Sequence, residues 1–143
     1  MAAYCDIDQL SARYGAPMLL QLSDRGGAFP TEPDTALFAR AIADAGALID
    51  GYLGGRYQLP LVTVPELVTN LAQVVAIYMA HGSVAPEKIR KDYDDALRQL
   101  QAIANGTMVI SAAGIEAAGT EANEVLTNEP SRPLTADTMT GYI

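Results

Sequence analysis

One stretch limits the fold of this chain more than any other. From Pro65 and Glu66 to Ala80, the residues Leu67, Val68, Leu71, Val74, Val75, Ile77, Tyr78 and Met79 leave almost no polar face. Only Thr69, Asn70 and Gln73 interrupt it. A helix that is apolar nearly all round lies at the centre of a bundle or against a second subunit. It is also too short for a bilayer, which takes about 20 apolar residues. No run of 18 apolar residues occurs anywhere in the chain, so no membrane contact is expected.

Helical signals surround this segment. Residues 34–53 place Leu37, Phe38, Ala41, Ile42, Ala45, Leu48, Ile49, Tyr52 and Leu53 on a wide stripe at 3.6 spacing. Asp34 supplies a capping carboxylate, and Gly54-Gly55 with Pro60 stops the helix. Ala39, Ala43 and Gly46 form a strip of small residues, predicting the close approach of a neighbouring helix backbone. Residues 86–104 are amphipathic, with Ile89, Tyr93, Ala96, Leu97, Leu100 and Ile103 inward. Glu87–Lys91 and Asp94–Arg98 have the spacing of helical ion pairs. Asn105-Gly106 ends that helix. Near the start, Asp6 and Gln9 have capping-box spacing. Ile7, Leu10 and Tyr14 share one face, and a short apolar segment follows from Pro17 to Leu22. The expected fold is all-α, a small bundle of three main helices plus short N-terminal helices.

Past Gly106 the character changes. The 38 residues from 106 to 143 hold five acids (Glu116, Glu121, Glu124, Glu129, Asp137) against one base, Arg132. They carry half of the net charge of −8. Helical periodicity gives way to Gly, Thr, Ser and Pro. We divide the chain into a helical bundle over 1–106 and an extended C-terminal arm over 107–143. The arm has too few large apolar residues to offset the conformational entropy of ordering itself. It therefore needs a surface to lie on. Met108-Val109-Ile110 is short enough to add as a β-strand. Leu134, Met139, Tyr142 and Ile143 form a candidate docking tip.

Composition excludes several functions. One Cys and one His cannot build a zinc site or an internal disulfide. The acidic balance opposes a surface built to neutralise phosphates. The first residues lack the basic and apolar regions of a signal peptide. An EF-hand loop started at Asp24 puts Gly26, Ala28 and Thr35 at the other ligand positions and Phe29 where glycine belongs, so no calcium site is read. Gly54-Gly55-Arg56 lacks the strand and the Lys-Ser/Thr of a phosphate loop and is read as a helix cap. His81 has no evident nucleophile, and Asp6 beside Cys5 disfavours a thiolate. Asp92, Asp94 and Asp95 are read as a solvated face. No catalytic residue, metal or cofactor is assigned, and an enzyme is not expected. Lys88, Arg90 and Lys91 are the one basic cluster, a candidate salt-bridge patch toward an acidic partner or another copy.

The segment Ala47-Leu48-Ile49-Asp50-Gly51-Tyr52-Leu53-Gly54-Gly55-Arg56-Tyr57-Gln58-Leu59-Pro60-Leu61 resembles the central signature of the small neck proteins of Mu-like phages and prophages. Its marker residues are Ile49, Asp50, Tyr52, Leu53, Arg56, Tyr57 and Pro60. Asp92–Leu97 with Ile103–Gly106 resembles the last helix of that family. Ser131–Leu134 with Asp137–Met139 resembles its C-terminal end. Many relatives carry an acidic, calcium-like loop where this chain has residues 24–34. The pattern is missing here, so no metal role carries over.

The resemblance implies a head–tail connector, or adaptor: a structural subunit forming a homo-oligomeric ring between portal and tail. By analogy with other tailed-phage adaptors the ring is twelve-fold. Its partners would be other copies, the portal protein, and tail or neck proteins. DNA would pass through an acidic lumen without specific binding. The expected location is the virion neck, and the host cytoplasm during assembly. Two other readings remain open at this level. One is a tail-completion or tail-terminator-like assembly protein; the other is a small cytoplasmic helical binding module.

Overall fold

In a computed structural model, residues 3–111 are described. They form five helices: α1 (Ile7–Tyr14), α2 (Ala16–Ser23), α3 (Thr35–Leu53), α4 (Glu66–Ala80) and α5 (Glu87–Asn105). No strand occurs among the described residues, so the fold is all-α as the periodicity predicts.

The capping residues act as their chemistry suggests. The Asp6 carboxylate accepts the Gln9 N–H at 2.8 Å, and the Gln9 side chain accepts the Asp6 N–H at 3.2 Å. Asp34 accepts the N–H groups of Ala36 and Leu37 at the start of α3. Gly106 ends α5 in the left-handed region at φ +80°, which a residue with a Cβ adopts only at a cost. The short helix α2 is tied to α3 through Ser23. Its hydroxyl donates to the Leu19 carbonyl at 2.8 Å and accepts the Asp34 N–H at 2.8 Å.

Three long helices make the core. The largest interface lies between α3 and α4, and α5 packs against both. Helix α4 is central: Val68, Leu71, Ala72, Val74, Val75, Ala76, Ile77 and Ala80 are all buried within the one subunit. This resolves the two options open for an all-round apolar helix. Gln73, the one polar buried residue of α4, accepts from Arg13 Nη1 at 3.2 Å. Tyr78 of α4 and Tyr93 of α5 stack with ring centroids 3.9 Å apart and planes 8° apart, which fixes an antiparallel pair across a short connection. Tyr57 after α3 meets Ile110 after α5. Helices α3 and α5 therefore run parallel, and their C-terminal ends share one end of the bundle.

Three expectations are met differently. The small-residue strip of α3 does not receive a helix along its length: Gly46 is buried, but Ala39 and Ala43 are exposed. The N-terminal segment takes that side instead. Met108-Val109-Ile110 does not pair as a strand; it lies against the bundle, with Ile110 buried and Val109 exposed. The ion pairs of α5 are Lys88–Asp92 at 2.7 Å and Asp95–Arg98 at 2.8 Å, not Glu87–Lys91 and Asp94–Arg98. Exposed helical pairs are worth a few tenths of a kcal/mol, so spacing alone does not select among them.

Candidate functional site

The signature residues assemble into a junction at the shared end of α3 and α5. Ile49 and Leu53 are fully buried and hold the last turns of α3 to the core. The Leu53 carbonyl accepts N–H bonds from both Arg56 and Tyr57, at 3.0 and 2.9 Å, so the chain turns tightly after the helix. Leu59–Pro60 is a cis peptide bond, and Leu61 is buried just beyond it. Tyr52 is half-buried beside Leu97 and Gln101 of α5.

The junction ties both ends of the described chain to α3. At the N-terminal side, the buried Tyr4 hydroxyl donates to the Asp50 carboxylate. Burial, then the hydrogen bond and charge of Asp50, push the Tyr4 phenol well above its ordinary value. At the C-terminal side, the Tyr57 hydroxyl accepts the buried Ile110 N–H at 3.2 Å. Met108 N–H donates to the Ala102 carbonyl at 3.1 Å. The Arg56 side chain lies directly over Gly106, between the negative ends of two helices. Its Nε is buried without a hydrogen-bond partner among the described residues. The sequence places Arg56 in a helix cap after α3; its contact with Gly106, 50 positions later, leaves no local signal.

The other singled-out residues take ordinary places. Lys88 is engaged by Asp92 at 2.7 Å, which raises its pKa. It lines a groove of mixed polarity between α4 and α5, where Arg13, Asn70, Asp95 and Gln99 stand beside Leu67, Leu71 and Val74. Arg90 and Lys91 are exposed and form no ion pair among the described residues. His81 follows α4, and its Nδ1 sits 2.7 Å from the Ile77 carbonyl oxygen, so Nδ1 carries the proton and donates. Asp24 accepts the Gly26 N–H at 2.9 Å in a turn, and Arg25 pairs with Asp34 at 3.5 Å. Leu134, Met139, Tyr142 and Ile143 lie outside the described residues.

One feature was missed by sequence reasoning. An open apolar groove of about 420 Å³ runs between the N-terminal segment and the first half of α3. Ala3, Cys5, Ile7, Ala39, Ile42 and Ala43 line it, with Asp6 and Thr35 as its polar members. The alanines of α3 carry a signal for it, but their spacing alone predicts a helix contact. Burial, with the charge of Asp6 second, pushes the Cys5 thiol up to about 11.

The chain is similar in sequence to known phage proteins. The chain is 31% identical to Gene product J of Escherichia phage Mu over 140 residues, 98% of this chain and 99% of that protein. It is 35% identical to the Mu-like prophage FluMu protein gp36 of Haemophilus influenzae over 108 residues, 76% of this chain and 75% of that one. Residues 4–128 match the family described as Bacteriophage Mu, Gp36. That span holds the whole junction, from Tyr4 through Arg56 to Ile110, and on these matches the chain belongs to the Bacteriophage Mu Gp36 family of phage proteins.

Proposed function

We propose that this chain is a structural head–tail connector subunit, without catalytic activity, that forms a twelve-fold homo-oligomeric ring between portal and tail. The observation that carries the reading is the family match over residues 4–128, a span that includes the segment 47–61 with its resemblance to the neck proteins of Mu-like phages. The structure adds a physical rationale. Ile49, Leu53 and Tyr57 are buried in the junction from which the chain leaves the bundle, with Asp50, Tyr52 and Arg56 half-buried around them and Pro60 exposed. The bundle would form the ring wall. The arm beyond residue 111, with Leu134, Met139, Tyr142 and Ile143 as anchors, would reach a neighbouring copy, the portal or a tail protein. Lys88, Arg90 and Lys91 would meet acids of the next subunit in this acidic chain. Acids facing the lumen would let DNA pass without sticking.

Labelling the chain in purified particles tests the position. A label between head and tail supports the connector. A label on the head-proximal end of free tails that lack heads would move the reading to a tail-terminator-like protein, and absence from particles to a cytoplasmic binding module. Removing residues 131–143 tests the arm. The bundle should melt as before, while tails fail to join heads; infectious particles built from the trimmed chain would overturn the role given to the arm.

A further inference from the structure

The apolar groove beside α3 lacks a cover among the described residues. Its floor is the exposed pair Ala39 and Ala43, one turn apart on α3. Around that floor stand Ile42 with Thr35 of α3 and Ala3, Cys5, Asp6 and Ile7 of the N-terminal segment, a lining that is apolar apart from Asp6 and Thr35. Small side chains on the floor let another backbone come close, and the apolar sides favour a ligand with few charges. We propose that residues 134–143 of the same chain dock in this groove in the free subunit.

Three observations select that occupant. The first is composition. Residues 134–143 contain Leu134, Met139, Tyr142 and Ile143 with a single charge, Asp137. Residues 112–133, in contrast, carry four acids and Arg132. The second is the starting point. Ile110 is held at Tyr57, just past the C-terminal end of α3, so the chain departs from a defined place on the same helix that carries the groove. The third is length. Eleven to fifteen residues of α3 separate Gly54 from Ala43 and Ala39, a span of about 20 Å at the rise of an α-helix. Twenty-two residues lie between Ser111 and Leu134. At up to about 3.3 Å per residue, a tether of that length is long enough to reach past that span. A segment within reach on the same chain has a high effective concentration at the receiving site, which favours it over the segment of a second copy. Docking would cover the apolar tip and the apolar groove together until assembly offers the tip another surface. That consequence rests on the connector reading, but the docking does not.

Disulfide trapping in the full-length chain tests it. In a Cys5→Ser background, Ala39→Cys and Met139→Cys are combined, and Glu87→Cys with Met139→Cys serves as control, since Glu87 is exposed at the start of α5. Mild oxidation should close an intramolecular bond in the first variant at least tenfold faster than in the control. Ala43→Trp should slow that closure about tenfold with helical content unchanged. The bond should form at the same rate at low and high protein concentration. Bonds formed only between chains would assign the groove to a second copy, and closure no faster than the control would remove the segment from the groove; either result overturns the proposal. Labelling of particles reports on the connector role separately, so each reading fails on its own experiment.

Discussion

Arg56 lies against Gly106 so closely that a Cβ at position 106 would overlap Nη1 and sit 2.5 Å from Cζ. Gly106 also holds φ +80°. Two independent demands therefore meet at one residue, backbone handedness and space for a guanidinium. Gly106→Ala should cost about 1–2 kcal/mol for the left-handed backbone alone. Displacing Arg56 should add to that. At roughly 4–8 °C per kcal/mol for a domain of this size, the loss is readable by thermal melting. In an Arg56→Ala background only the backbone cost should remain. Strict additivity of the two substitutions in urea titrations would show that the contact carries no energy.

Tyr57 offers the acceptor for a buried N–H of a residue 53 positions away. Tyr57→Phe leaves the ring in place and orphans the Ile110 amide. The expected destabilisation is about 1–3 kcal/mol, the usual cost of a buried unsatisfied donor. Hydrogen exchange should localise it: the Ile110 amide should exchange faster while the amides of α4 keep their relative order. Unchanged protection at Ile110 would mean that water replaces the hydroxyl.

Cys5 is buried, and its thiol is raised to about 11 from an ordinary 9.0. A thiol shifted up by two units presents about a hundredth of the usual thiolate at pH 8. Alkylation of the native chain should therefore be slower than alkylation in urea by at least that factor. The sign for stability follows from the same shift. The folded state favours the protonated thiol, so stability is complete below about pH 9 and falls as pH rises toward 11. Cys5→Ser should flatten this part of the profile. Native alkylation at the urea rate would place the thiol at the surface.

The Tyr4–Asp50 bond gives a second alkaline effect with the same sign. The Tyr4 phenol is held above its ordinary value, so the folded state favours its neutral form. Stability is whole below the unfolded phenol value of about 10 and declines above it. Tyr4→Phe in a Cys5→Ser background should cost about 1 kcal/mol at pH 7 and reduce the decline above pH 10. A residual slope should persist, because burial also raises Tyr14 and Tyr93. An identical slope in both chains, read by chemical denaturation across pH, would count against the bond.

Local rules accounted for the elements. Asp6, Asp34, Pro65, Pro86 and Gly106 mark helix ends by short-range hydrogen bonding and backbone geometry, and each stands at or beside the observed boundary. The apolar stripes of residues 34–53, 65–80 and 86–104 likewise determined which faces are buried, because helical period is a property of the sequence itself. The signature around Arg56 was visible as a motif, and its membership of a phage family follows from residue identity. Its work in the fold was not visible. Tyr4 with Asp50, Tyr57 with Ile110 and Arg56 with Gly106 join residues 46 to 53 positions apart. No periodicity encodes such pairings; they arise when α3 and α5 pack in parallel with their ends together. The groove beside Ala39 and Ala43 has the same origin. Alanines at helical spacing permit a close neighbour, but only the packing of the bundle decides whether a helix, the N-terminal segment or open space lies there.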